Sequence, residues 1–193
     1  MSSPSSTADA ILASARDLVV AGGYNGFSYA DIAAVVGIRK ASIHHHFPAK
    51  ADLVEALVAR YRAETRAALE SLESQIAGPA ELLGSYVGYW QACIARSDPP
   101  FCVCAQLASE LPRLPEGVAR EVRAHFRALA NWLAEVIARG GREGVLDAAD
   151  PVAEGEIMMA TVHGAMLSAR AYGTPEVFGA ITAPLLDRLS RRD

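Results

Sequence analysis

Gly37 stands between two runs that are each too short to be independent helices, "YADIAAVV" (29–36) and "RKASIHHH" (39–46). Glycine tolerates the positive φ of a tight turn, so one helix stops here and another starts almost at once. Ser28, followed three residues later by Asp31, reads as a capping box that opens the first helix, with Asp in place of the usual Glu or Gln. Two short helices joined this way form a helix-turn-helix, the first bracing the second. This pair constrains the chain more than any other feature.

The remainder reads as helix upon helix. Ala and Leu dominate, runs of β-branched residues are scarce, and the hydrophobic fraction of 51% can supply a full core. Residues 1–6 form a polar tail. A first helix is expected over 7–21, where Ile11, Leu12, Ala15, Leu18 and Val19 recur at helical spacing and "GGYNGF" stops them. Further helices are expected over 50–75, 80–96, 101–111 (begun by Pro99–Pro100), 116–139, 152–172 and 175–190, with "GGREGVLDAADP" as a connector. Arg16 is the first basic residue, so no secretory signal is expected, and no apolar run approaches a membrane span. Cys93, Cys102 and Cys104 are odd in number and clustered, which suits reduced thiols of a cytoplasmic protein.

His44, His45 and His46 are not a metal site. Successive helical side chains rotate by about 100°, so three neighbours cannot close on one ion. Their surroundings carry Arg39, Lys40 and Lys50, and no acid occurs between Asp31 and Asp52. The net charge is −4, so the chain as a whole is not basic. A local acid-free surface is nevertheless what a phosphate-facing helix requires. The second short helix is therefore expected to enter the major groove of double-stranded DNA.

The stretch "ILASARDLVVAGGYNGFSYADIAAVVGIRKASIHHHFPAKADLVEAL" (11–57) resembles the DNA-binding domain of the TetR family of transcriptional repressors. The likeness rests on Gly23–Tyr24, Phe27–Ser28, Asp31–Ile32–Ala33, Gly37, Ile43 through Phe47, and Lys50. It implies an all-α chain: a three-helix helix-turn-helix domain over 1–49, then a helical ligand-binding and dimerisation domain over 50–193. By the resemblance Lys40, Ala41, Ser42, His44 and His45 face DNA. Lys40 can donate to guanine or phosphate, and Ala41 can pack on a thymine methyl. His46 contacts phosphate or caps and packs. Ser28, Lys50 and Tyr29 are candidates for the DNA backbone, while Ile43 and Phe47 plug the core.

The resemblance also implies a small-molecule effector and a homodimer. Tyr86, Trp90 and Cys93 share a helical face, and Phe101, Leu107, Glu110, Phe126, Met158, Met159, His163 and Met166 are further pocket candidates. Ordinary core packing is the alternative for each. Ala160, Gly164 and Ser168, spaced by four, form a small-residue stripe. With the helices of 116–139 and 152–172 it could build a four-helix dimer interface, and it equally suits packing within the subunit. Cys102 near a helix start raises a thiol-based redox or electrophile sensor as an alternative, since a helix dipole favours thiolate. In a regular helix Cys102 and Cys104 would diverge, and buried small hydrophobes are their ordinary explanation. The sequence contains no nucleophile–base motif, phosphate loop or metal spacing, so no enzyme, cofactor or metal is expected. A helical enzyme or interaction protein with a merely structural helix pair is the remaining alternative.

Overall fold

The computed structural model describes residues 6–96, 101–147 and 149–190. Helices α1 (Thr7–Gly22), α2 (Tyr29–Val36), α3 (Lys40–His46), α4 (Lys50–Gln75) and α5 (Pro79–Ile94) come first. After them come α6 (Val103–Ala108), a 3₁₀ turn (Leu111–Arg113), α7 (Glu116–Arg142), α8 (Pro151–Tyr172) and α9 (Glu176–Leu189). The only β pairing among the described residues is an isolated bridge between Leu146 and Ser190. The chain is all-α, as its composition requires.

Contacts divide the chain into two compact units. One runs to Thr65 and takes in Cys102–His125; the other comprises Arg66–Phe101 and the chain from Phe126 onward. The sequence suggests a division at 49/50, but packing recruits more chain to the first unit. Leu53, Val54, Leu57, Val58 and Tyr61 of α4 are buried in it, as are Val103, Leu107, Val118 and Val122. Ile11, Ala15 and Val19 of α1, Ile32 of α2 and Ile43 of α3 are fully buried in the same unit.

Local chemistry sets the helix ends in this unit. Ser6, read with the polar tail, is instead the N-cap of α1: its hydroxyl accepts the Asp9 N–H, and the Asp9 carboxylate accepts the Ser6 N–H. The rest of that tail, residues 1–5, lies outside the described residues. Ser28 and Asp31 form the capping box expected for α2, with the Ser28 N–H donating to the Asp31 carboxylate at 2.7 Å. Gly37 closes α2 at φ 73° and ψ 32°, the left-handed conformation the sequence calls for. The helix expected over 101–111 is shorter and interrupted. Pro112 has no N–H to donate, so the chain tightens into the 3₁₀ turn. Its expected start at Pro99–Pro100 lies outside the described residues.

In the second unit Leu82, Leu83 and Val87 of α5, Leu133, Val136 and Ile137 of α7, Met158, Val162 and Met166 of α8, and Phe178 of α9 form the core. Helix α7 continues through Gly140–Gly141, where the sequence suggests a connector. A Cβ at Gly140 would collide with the Leu146 side chain, so this glycine admits the returning chain rather than breaking the helix. A Cβ at Gly155 would lie 2.8 Å from the Ala130 carbonyl oxygen, so α8 approaches the backbone of α7 closely there. Gly173, at φ 65°, turns the chain from α8 into α9, and a two-pronged Arg188–Glu154 ion pair ties the end of α9 to the start of α8.

Candidate nucleic-acid interface

Helix α3 has a single buried side chain, Ile43, which anchors it. Lys40, Ala41, Ser42, His44, His45 and His46 are all exposed. The two acids bordering this stretch are turned onto backbone. The Asp31 carboxylate accepts the Ser28 N–H and hydroxyl, while Asp52 accepts the Ala49 N–H at 2.9 Å. Hydrogen bonds from Ser28 hold the Asp31 carboxyl below its ordinary value. Each acid's charge is thereby committed to capping a helix.

The residues behind α3 have inward partners. The Tyr29 hydroxyl donates to the Phe47 carbonyl at 2.8 Å, and its ring meets His44 edge-on at 4.7 Å. Burial, with the Asp52 charge behind it, pushes the Tyr29 phenol up to about 12. His44 Nδ1 lies 3.2 Å from the Pro48 carbonyl oxygen, and His46 stands between His45 and Phe47. Phe47 is half-buried rather than the full plug its sequence position suggests, and its carbonyl does the bonding. Lys50 donates to the Phe27 carbonyl and lies over the Phe27 and Tyr24 rings, 4.1 and 5.1 Å from their centroids. Burial lowers its pKa. Ser28 is engaged in its cap.

Among the pocket candidates, Tyr86, Trp90 and Cys93 of α5 are buried within the second unit. Tyr86 sits 5.8 Å from Trp132, whose indole N–H donates to Glu73 at 3.1 Å. Phe126 stacks at a tilt 5.0 Å from His163, and His163 Nδ1 lies 2.8 Å from the Met159 carbonyl oxygen. Phe101 lies under the Arg170 guanidinium at 4.8 Å, and Met166 is buried. Leu107 and Glu110 are not in this group. They belong to the first unit, where Glu110 accepts the Tyr24 N–H at 3.0 Å. Trp132 and Arg170 join these side chains without being candidates from the sequence. Trp132 is one of only two tryptophans in the chain, and that rarity was the available signal.

None of the three cysteines forms a disulfide, and all three are buried. Cys102 and Cys104 do not diverge as a regular helix would require. Cys102 precedes α6 with extended backbone (ψ 117°), and its sulfur accepts the Ala105 N–H at 3.4 Å. It also hydrogen-bonds Cys104 and the Tyr61 hydroxyl. Burial, followed by the hydrogen bond with Cys102, pushes the Cys104 thiol well above its ordinary value. Among the described residues no three His, Cys, Asp or Glu side chains are placed to hold a metal ion together.

Two family models match the chain: bacterial regulatory proteins of the tetR family over residues 11–57, and the tetracyclin repressor-like C-terminal domain over 79–183. The chain belongs to the TetR family. A TetR-family transcriptional regulator from Agrobacterium tumefaciens shares 58% identity at a TM-score of 0.92, over 95% of this chain and 97% of that one. A TetR transcriptional regulator from Legionella pneumophila shares 26% identity at a TM-score of 0.89, over 98% and 100%. The reduced form of E. coli NemR has the same fold, with a TM-score of 0.89 at 18% identity over 96% and 98%. No curated protein sequence matches the chain. This TetR-family chain is thus a DNA-binding transcriptional regulator and not an enzyme. Among the described residues no helix is long and apolar enough to cross a membrane.

Proposed function

We propose that this regulator is a cytoplasmic homodimeric repressor that leaves a near-palindromic operator when a small molecule binds. The exposed, acid-free face of α3 carries the reading. Lys40, Ala41, Ser42, His44, His45 and His46 meet the DNA, while Ser28, Tyr29 and Lys50 hold the module in shape behind them. Two such helices, about 34 Å apart on a two-fold axis, read the half-sites. On this reading residues 1–49 supply DNA contacts and 50–193 supply effector binding and assembly.

The dimer forms through the outer faces of α8 and α9. On α8, Ile157 and Leu167 are 44% and 50% exposed, on the same face as Ala160, Gly164 and Ser168. A Cβ at Gly164 would meet nothing within 4 Å, so the middle of the stripe is open. The exposed side chains of α7 include Arg123, Arg127 and Glu135, which favours α9 over α7 as the second interface helix.

The effector is apolar or amphipathic and is held among Tyr86, Trp90, Cys93, Phe101, Phe126, Met159, His163 and Met166. Release requires that it bind the DNA-incompetent conformation more tightly than the competent one. The alternative trigger is oxidation or alkylation at Cys102 and Cys104, supported by the meeting of their thiols. Their burial, at 1% and 0% exposure, weighs toward the ligand.

The test is to select bound duplexes from a random DNA pool, then to challenge the complex with a compound library and, separately, with a mild oxidant. Recovery of an inverted repeat, and its release by compounds with Cys102→Ser and Cys104→Ser as well as wild type, is the expected result. Release by oxidant from wild type but not from either serine variant would transfer the trigger to the thiols. Failure to enrich any sequence would overturn the operator reading.

A further inference from the structure

The turn between α1 and α2, residues 23–28, is held at both ends by side chains from elsewhere in the sequence. At its start Gly23 adopts φ 72° and its own N–H donates to the Val19 carbonyl of α1, whereas the next N–H, that of Tyr24, donates to a side chain. The Glu110 carboxylate accepts it at 3.0 Å, from 86 residues further along the chain. At its end the Phe27 carbonyl accepts the Lys50 ammonium. The two clasping groups have opposite charge and attract each other as well as the backbone between them.

The turn is shaped to admit Glu110. A Cβ at Gly23 would collide with the Glu110 carboxylate, and a Cβ at Gly26 would collide with the Gly22 backbone. Gly23 therefore serves two needs, the left-handed backbone and room for an acceptor. Glu110 itself is fixed by the end of α6: its N–H donates to the Leu107 carbonyl, and its carbonyl accepts the Arg113 N–H. Leu107 is fully buried, and α6 packs on α1.

We infer that Glu110 is a positioning residue for DNA recognition: its carboxylate sets the α1–α2 turn, and so the place from which α2 and α3 present Lys40 and the histidines. No carboxylate occurs in "GGYNGF", and the Tyr24 N–H goes to Glu110 rather than to any group of that segment. The segment after α6 is thereby part of the DNA-reading module, although it lies far from it in sequence.

The experiment compares Glu110→Gln and Glu110→Ala in the full-length protein. Both remove the charge, but only Gln keeps an oxygen acceptor on the same stem. Binding is measured to a duplex recovered by selection and to a scrambled duplex, together with exchange of the Tyr24 amide by NMR. Losing an acceptor for a partly buried N–H costs enough that Glu110→Ala should bind the selected duplex about tenfold more weakly. Its affinity for the scrambled duplex should match that of Glu110→Gln, because that binding rests on phosphate charge. Glu110→Gln should recover most of the specific affinity, and the Tyr24 amide should exchange slowly in wild type and Gln but fast in Ala. If Glu110→Ala does not fold, Glu110→Asp replaces it, keeping the charge on a stem one methylene too short. Equal affinity of the Ala (or Asp) and Gln variants for the selected duplex would overturn the inference. So would a wild-type Tyr24 amide that exchanges as freely as that of exposed Asn25.

Discussion

Lys40 and Lys50 carry the same charge ten residues apart, and their surroundings give them different work. Lys40 is exposed on α3, whereas the Lys50 ammonium is bound to the Phe27 carbonyl between two aromatic faces. Lys40→Ala should therefore leave the melting temperature unchanged and weaken DNA binding. If its partner is a phosphate, the slope of log K against log salt should fall by about 0.9. Lys50→Met, which keeps the apolar stem, should show the reverse: a lower melting temperature and an unaltered salt slope. Anisotropy titrations over several salt concentrations, paired with thermal melts, check both. A reduced slope for Lys50→Met would return that residue to the phosphate contacts.

Helix α2 depends on its cap as much as on its core. It is eight residues long, too short to stand alone, and its two fully or nearly buried side chains are Ile32 and Tyr29. Ser28→Ala should cost about 1 kcal/mol of stability through the lost cap. The Asp31 half of the box is sensitive to pH. Its carboxyl is held below the ordinary value of 3.8, chiefly by its hydrogen bonds with Ser28, so the folded state binds its proton less readily than the unfolded chain. Its stabilisation is complete above that ordinary value and disappears as pH falls through the lower folded value. The acid limb of the stability profile should consequently be shallower in Asp31→Asn than in wild type, as measured by urea melts across that range. Superimposable limbs would show that Asp31 contributes nothing to acid sensitivity.

For the whole molecule the decisive quantity is the oligomeric state. The proposed α8–α9 interface leaves Ile157 and Leu167 to be covered by a second copy. Ile157→Glu should yield monomers in sedimentation at micromolar concentration, with the melting profile of the protomer retained because the side chain is not in the subunit core. Operator affinity should fall by at least about tenfold, since a single module makes too little contact for tight specific binding. Gly164→Leu should act in the same direction by filling the stripe. A dimer that survives both substitutions would place the interface elsewhere.

Much of this protein is legible in one dimension because its determinants are local. Gly37 stops α2, Ser28 and Asp31 open it, and the spacing of Ile11, Ala15 and Val19 announces the buried face of α1. Backbone conformation and capping act over three or four residues, so the helices and the exposed acid-free face of α3 follow from the sequence. The resemblance over 11–57 implies which of those residues face DNA. The tertiary structure decided everything that depends on a partner far along the chain. Cys102 and Cys104 diverge on an ideal helix but meet because Cys102 lies outside the helix. Gly140 reads as a helix breaker until Leu146 is seen to need its space. Glu110 reads as a pocket candidate and Lys50 as a phosphate candidate, and only the fold shows both bonded to the α1–α2 turn. Sequence spacing specifies the face on which a side chain stands, whereas the group it meets there is set by how the whole unit closes its core and satisfies its buried N–H and C=O groups.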